Sequence, residues 1–500
     1  MFELKDMGKY IGLYVLIVLA FSMFFMNFAD YSHISFKIAT IAFLIIMGAL
    51  SLILYNFKNL DLHKVAFVII LLFGITMLFL TPLTDASDEI EHFIRSDIVS
   101  TGQISTDYVP MPNTTSYGYQ TVTTTIVFAN ATGMTVFDTD VDDAKIDYSP
   151  NYFNSAFSQN PFYAYLAPGI GIFLAKLFDL NAIWMLWLGR LANIILYAGI
   201  VSFAIRKAPK FKLPLLIVSI SPTVILLAAS TNCDGLFTAL ALLAFSYFLY
   251  FMENTDIRWT DLAVFFASIV LAGFLKLPYL ALSLLVFLIP RENFTDRRQD
   301  IISKLAILLV LGLGLVWSGY ATSQLLNSWR GQHMIENNVN ASAQISYLLS
   351  DPFILIEKLS RLVTELPVVV DRYFFFPDAG RVQFSQLFAS IYTIFILGFS
   401  LLYPLDEKIS VSSRIRAFAV AFIIYAGVMF AQYLTWSPVG APNLTAGVYG
   451  RYFAPLLIFI PFIIGNVHEG FDREKGSLIA LALAMGITAG VMIMTLMIKY

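Results

Sequence analysis

Thr81–Gln103 reads TPLTDASDEIEHFIRSDIVSTGQ and follows directly on the apolar run Val65–Leu80. With Ser87 as N-cap, a helix starting at Asp88 carries Asp88, His92 and Arg95 on one face, at i, i+4 and i+7. Ile90, Phe93, Ile94 and Ile98 fall on the other side. The pattern predicts an amphipathic helix lying on a membrane surface, apolar side down, with a carboxylate, an imidazole and a guanidinium turned away from lipid. It equally fits a plain surface helix with i,i+4 charge pairing. The rest of the chain decides between them.

Composition places the chain in the membrane. Of 500 residues, 58% are hydrophobic and 13% charged, and mean hydropathy is +0.75. Soluble domains carry about 25% charged residues. The expected fold is therefore an all-α polytopic membrane protein. A net charge of −3 argues against a nucleic-acid partner. One cysteine, Cys233, excludes an internal disulfide and any multi-cysteine metal site.

Apolar stretches of spanning length occur at 10–29, 36–56, 64–82, 183–205, 212–229, 233–252, 260–274, 277–291, 302–322, 386–403, 414–435, 451–467 and 477–498, about 13 in all. Lys5 and Lys9 place the N-terminus inside, and Lys58 and Lys64 the second loop, by the positive-inside rule. The interval 83–160, with eleven Asp/Glu against Arg95 and Lys145, then falls outside. Counting Phe162–Phe178 as a crossing would put Arg206, Lys207, Lys210 and Lys212 outside. Its internal Pro168-Gly169 and Gly171 also make it a poor straight span. It is read as a re-entrant or interface-lying helix, which keeps that basic cluster and the basic loops 291–304, 408–416 and 468–475 inside. The N-terminus is then in and the C-terminus out, with large outer loops at 83–182 and 323–385.

On this topology polar residues gather at one membrane edge. Asp88, Glu89, His92 and Arg95 are joined there by Asn160, Tyr163, Arg190, Asp234, Lys276, Tyr279, Arg451 and Tyr452. Taken singly, Arg190 and Lys276 are interface anchors and Asp234 is a helix cap. Taken together, carboxylates in one loop and cations at three helix ends describe a site for a lipid-linked phosphate and a group that needs a base. Two catalytic carboxylates compete. Asp88 shares a face with His92 and Arg95, whereas Glu89 lies about 100° round, where it is better placed to hold the loop through a basic residue on another span.

The string S-D-E-I-E-H-F-I-R resembles the D-E-x-x-H-x-x-R signature of a bacterial family of predicted multi-spanning membrane proteins of unknown function. Family-like blocks follow in order: NPFYAYLAPGIG at 160–171, GRLAN at 189–193, ASTNCDG at 229–235, LKLPY at 275–279 and GRYFAPL at 450–456. The resemblance covers about 64–470, so residues 1–63 read as two additional N-terminal spans. The family is in turn similar to the GT-C glycosyltransferases, whose first long outer loop carries an acidic catalytic residue and which use polyprenyl-phosphate-linked sugars as donors. The likeness implies a GT-C-like core over 64–322 with its first extracytoplasmic loop at 83–182, a second at 323–385 and C-terminal spans over 386–500. It implies an inverting glycosyltransferase of the bacterial plasma membrane, acting on the extracytoplasmic side on a cell-envelope glycan or related acceptor.

The chemistry is legible without the family. A sugar on a polyprenyl phosphate already has its leaving group. The enzyme must add a carboxylate that takes a proton from an acceptor hydroxyl and cations that hold the phosphate as charge develops. Asp88 or Glu89 supplies the first, with His92 to orient it or share its proton. Lys276 and Arg451 supply the second, with Arg190 as a third. The remaining polar residues, Arg95, Asn160, Tyr163, Asp234, Tyr279 and Tyr452, would line the substrate site. The absence of a Walker or Rossmann loop favours a lipid-linked donor over a nucleotide sugar. No metal site is assigned. Asp88 and His92 with Glu89 or Glu91 have the spacing for two ligands, and a divalent cation shared with a substrate phosphate stays open. The competing class is a transporter or flippase of a lipid-linked glycan, for which no internal repeat is visible.

A reporter fused near Lys145 is expected outside and one near Pro209 inside. If both report the same side, Phe162–Phe178 is a true crossing and the polar residues above do not share one edge.

Overall fold

The computed structural model describes residues 4–57, 60–112, 117–157, 160–374, 384–405, 408–468 and 472–500; Lys58 lies outside them. Three helices open the chain: α1 (Leu4–Met26), α2 (Ile34–Asn56) and α3 (Leu62–Leu80). The long polar interval then folds as α4 (Glu89–Ser100) and a small antiparallel sheet in the order β1 (Val109–Pro110), β2 (Tyr117–Val122), β3 (Pro150–Phe153). Val109 faces Gly118 and Tyr119 faces Phe153 in its register, and α5 (Thr124–Asn130) bridges β2 to β3.

The segment 161–178 forms a 3-10 turn, Phe162–Tyr165, running into α6 (Leu166–Leu177). At 12 residues, α6 is about 18 Å long, short of the roughly 30 Å hydrocarbon core. It lies against α7 (Ile183–Lys207). Gly171 permits this approach, because a Cβ there would stand 2.1 Å from the Leu188 carbonyl oxygen.

The stretch 212–229 is not one helix. It divides into α8 (Lys212–Ser219) and α9 (Pro222–Ala228), because Pro222 has no N–H to continue the ladder. Next come α10 (Asp234–Glu253), α11 (Trp259–Leu275) and a 3-10 segment, Leu277–Leu288, with Pro278 in its first turn. The long α12 (Arg297–Asn327) leads into four short helices, α13 (Trp329–Glu336), α14 (Ala341–Ser350), α15 (Pro352–Thr364) and α16 (Leu366–Asp371). The chain closes with α17 (Ser385–Leu402), α18 (Val411–Trp436), a 3-10 segment Gly450–Ile458 continued by α19 (Phe459–Ile464), and α20 (Arg473–Lys499).

Among the described residues nine helices are long and apolar enough to cross a membrane: α1, α2, α3, α7, α10, α12, α17, α18 and α20. The protein is a multi-pass membrane protein. The other stretches read as spans are shorter or broken elements. Of these the 3-10 segment Leu277–Leu288 still extends about 24 Å, because 3-10 geometry rises about 2 Å per residue.

α10 and α20 are the most deeply buried of the nine. α1 packs along α20, with Ile17 and Phe21 against Gly486 and Gly490, so the two N-terminal helices are part of the same body. Residues 83–182 occupy one face. The C-terminal end shares that face: Lys499 Nζ donates to the Gly133 carbonyl at 3.0 Å and the Tyr500 hydroxyl to the Phe79 carbonyl at 3.1 Å. This side is the loop face below. The opposite side carries Lys64, Lys207, Lys210 and Arg473.

Candidate functional site

The loop between α3 and α4 is anchored by one ion pair. Glu89 and Arg190 are both fully buried, with Arg190 Nε and Nη2 donating to the two Glu89 oxygens at 2.8 and 2.6 Å. The other Arg190 donors go to the carbonyls of Leu78, Thr81 and Pro82. All five N–H groups of the guanidinium are therefore used. Glu89 also accepts from the backbone N–H of Thr231 at 3.1 Å and of Ala86 at 3.3 Å. This corrects the reading of Arg190 as a phosphate contact, since no donor is left to offer. Glu89 has the loop-holding place expected of it, with α7 and the 230–234 turn as its partners.

α4 begins one residue later than expected. Asp88, not Ser87, is the N-cap; it adopts φ 59°, ψ 17°, and its side chain caps nothing. A left-handed conformation at a non-glycine residue costs on the order of 1 kcal/mol or more and concentrates at functional sites. Nor does α4 lie on a surface. Glu89, His92, Phe93, Ile94, Arg95, Ser96, Asp97 and Ile98 are all buried, because α6 covers one side of the helix and the sheet another. The amphipathic-surface expectation fails for that reason.

Freed from capping, the Asp88 carboxylate reaches across to Arg451, which donates to it through Nη2 at 2.7 Å. Arg451 Nη1 donates to the Ser87 hydroxyl and Nε to Asp234 at 3.2 Å. Lys276 Nζ stands 2.8 Å from the second Asp234 oxygen. The quartet Asp88–Arg451–Asp234–Lys276 thus alternates in sign and is formally neutral. Its members differ in exposure: the Asp88 side chain is 43% exposed, Lys276 17%, Arg451 6% and Asp234 5%. Tyr452 forms one wall, with Lys276 over its ring at 4.1 Å and Arg451 at 5.0 Å, and Tyr449 faces Arg451 at 4.5 Å. Tyr279 lies behind, its hydroxyl donating to the Tyr452 carbonyl at 2.7 Å and its ring edge-on to Phe237. Among the described residues Lys276, with three N–H donors, has one carboxylate partner, so it retains donors for a ligand.

His92, Arg95 and Asn160 form a separate layer around Tyr165. The Tyr165 hydroxyl is 2.8 Å from His92 Nδ1 and accepts from Asn160 Nδ2 at 2.8 Å. Arg95 lies over the Tyr165 ring and donates to the carbonyls of Asn160 and Ile104, while its Nη1 has no partner among the described residues. Burial pushes the His92 imidazole down to about 4, against the pull of Asp234 and Asp88. It is neutral at pH 7, and no hydrogen bond joins it to Asp88 among the described residues. The expectation that His92 orients Asp88 directly is not what the geometry offers. Tyr163 stands apart, donating to the Leu271 carbonyl of α11 at 2.6 Å.

Three contributors were not assigned to the site from sequence: Ser87, read only as a helix cap, Tyr165 and Tyr449. Ser87 and Tyr165 sit inside motifs quoted above, yet nothing in a hydroxyl or a ring announces which neighbour it meets. The metal reading loses its ligands: Asp88 goes to Arg451, Glu89 to Arg190, Glu91 to Ser155 and His92 to Tyr165. No group of three or more His, Cys, Asp or Glu residues able to hold a metal occurs among the described residues.

Fold and site define a polytopic membrane protein with a charged, partly open cluster where four chain segments, at 87–88, 234, 276–279 and 449–452, meet on one face. The chain belongs to the family described as predicted membrane protein (DUF2142), whose model matches residues 71–460. The match spans the whole cluster and leaves α1 and α2 outside it. No curated protein and no solved structure matches the chain.

Glu89→Gln or Arg190→Leu alone is expected to destabilise the protein by about 3–5 kcal/mol, because each strands a buried charge. The double variant should recover part of the loss; thermal unfolding in detergent measures it. His92 adds a pH dependence. Between pH 6.5 and about 4 the unfolded chain binds a proton that the folded imidazole refuses, so stability falls with acidification through that window. His92→Phe should flatten the melting-temperature profile there.

Proposed function

We propose that this protein transfers a sugar from a polyprenyl-phosphate donor to a glycan acceptor, with Asp88 as the base. The observation that carries the reading is Asp88 itself. It is a solvent-facing carboxylate on a strained residue, held by Arg451 and fixed beside an otherwise buried lysine with donors to spare. Asp88 Oδ2 is committed to Arg451, which leaves Oδ1 for an acceptor hydroxyl. In a single displacement Oδ1 takes the hydroxyl proton, the acceptor oxygen bonds to the anomeric carbon, and the bond to the phosphate oxygen breaks with its electron pair. Lys276 meets the charge that develops on the departing phosphate. Arg451 positions Asp88 and, with Asp234, holds Lys276 in register.

A lipid-linked donor also needs a place for its chain. An apolar groove of about 220 Å³ runs between α16, α17, α18 and the 3-10 segment that carries Arg451, lined by Val369, Tyr392, Ile396, Tyr425, Phe453 and Leu457 among others. Gly450 closes one side. A Cβ there would stand 2.3 Å from the Tyr373 backbone, so this glycine brings the groove wall to the residue next to Arg451. On this reading the shorter apolar elements also cross, giving thirteen crossings and a GT-C-like arrangement. The loop face is then the extracytoplasmic side of a bacterial plasma membrane. The basic loops on the opposite face support that orientation.

The test uses purified protein in liposomes with a panel of radiolabelled polyprenyl-phosphate hexoses and envelope glycan acceptors. Asp88→Asn should abolish the glycosylated product while keeping the wild-type melting temperature. Lys276→Ala should weaken donor use by about 1.5–3 kcal/mol, the worth of a charge-assisted hydrogen bond. Normal turnover by Asp88→Asn would refute the mechanism. Movement of labelled lipid between leaflets with no new covalent product would replace it with a flippase.

A further inference from the structure

The segment between α12 and α17 reads in sequence as an aqueous loop, yet its middle carries a row of large apolar side chains facing outward. On α15, Phe353 is 78% exposed and Val363 69%, with Ile356 and Leu359 between them. At 100° per residue these four fall within an arc of about 120°. Glu357 and Arg361, paired at 2.9 Å, occupy the neighbouring arc. Lys358 and Leu362 fill the third side and are buried. Ile345 and Leu349 of α14 and Leu366 of α16 extend the row in both directions. Such a continuous apolar surface needs a covering partner.

The hydrogen bonds place this helix in depth. Lys358 Nζ donates to the Pro442 carbonyl at 2.8 Å, just beyond the loop-face end of α18. One turn later the Leu362 carbonyl accepts from the Tyr425 hydroxyl at 2.7 Å. Tyr425 is eleven residues from Trp436, the last residue of α18, hence about 16 Å back along that span. Tyr373, just after α16, stacks on Tyr392 at 5.8 Å, and Tyr392 is seven residues into α17, about 10 Å from its loop-face end. The chain therefore descends along two spans instead of standing clear of them. Glu365 accepts from the backbone N–H of Leu444 at 2.9 Å.

We infer that α15 and α16 form a re-entrant element sunk into the lipid leaflet on the loop face, with the row from Phe353 to Leu366 against acyl chains. The occupant is lipid because the row continues the exposed apolar sides of α17 and α18, where Ile394 and Phe422 face outward. It is also three-sided, as an interface-lying helix is: one side on protein, one apolar, one charged. This holds whatever reaction the protein performs.

The test is spin-label accessibility in vesicles of phosphatidylethanolamine and phosphatidylglycerol, using the full chain. Cys233 is the one native cysteine and is buried, so unsubstituted protein supplies the labelling background. Single cysteines replace Phe353, Ile356, Glu357, Val363 and, as an aqueous reference, the exposed Asp143. Oxygen collisions should dominate over those of a water-soluble nickel chelate at positions 356 and 363, more strongly at 363, while 357 lies nearer the reference. Water-like ratios at 356 and 363 would overturn the inference. So would exclusion of both reagents together with dipolar broadening between labels, which would show a second copy on the row.

Discussion

A carboxylate removed from water must be met by a full set of donors, and Glu89 is met by Arg190 and two backbone N–H groups. That single requirement organises the loop face. Arg190 in turn collects the carbonyls at the end of α3, which would otherwise be unsatisfied as the helix stops. The pair therefore ties α3, α4, α7 and the 230–234 turn at one point. With four segments fixed there, the start of α4 has no freedom left, and Asp88 is held in a conformation it would not choose alone.

Two adjacent carboxylates thereby receive opposite environments. Glu89 is sealed and saturated; Asp88 is open and shares one oxygen with Arg451. Neighbouring acids with separate fates are a familiar way of dividing structural from chemical work, and here the division falls at the helix start, Glu89 being the first helical residue and Asp88 the left-handed cap before it. The quartet that includes Asp88 is balanced in charge, with Lys276 and Arg451 both paired to Asp234.

Depth separates the polar layers. The quartet is partly open, the Tyr165 layer with His92 and Arg95 is closed, and the Glu89–Arg190 pair is closed and fully matched. His92, in the closed Tyr165 layer, is neutral at ordinary pH because burial opposes its protonation.

Membrane class, the long apolar helices and the importance of the DASDEIEHFIR stretch follow from local sequence. Runs of twenty apolar residues and a charge cluster are one-dimensional patterns, readable without knowing what packs on what. The clustering of Asp88, Asp234, Lys276, Arg451 and Tyr452 was also legible, because sidedness along successive spans is nearly a bookkeeping of loops. Three things were decided only in three dimensions. Helix breaks at Pro222 and in the 3-10 segments depend on neighbours able to satisfy freed backbone groups. The burial of α4 depends on how the sheet and α6 pack around it, which no local pattern in its own sequence states. The split between Glu89 and Asp88, and the commitment of every Arg190 donor, depends on which partner stands at hydrogen-bond distance. No periodicity encodes that distance; it exists only once residues a hundred positions apart have been packed together.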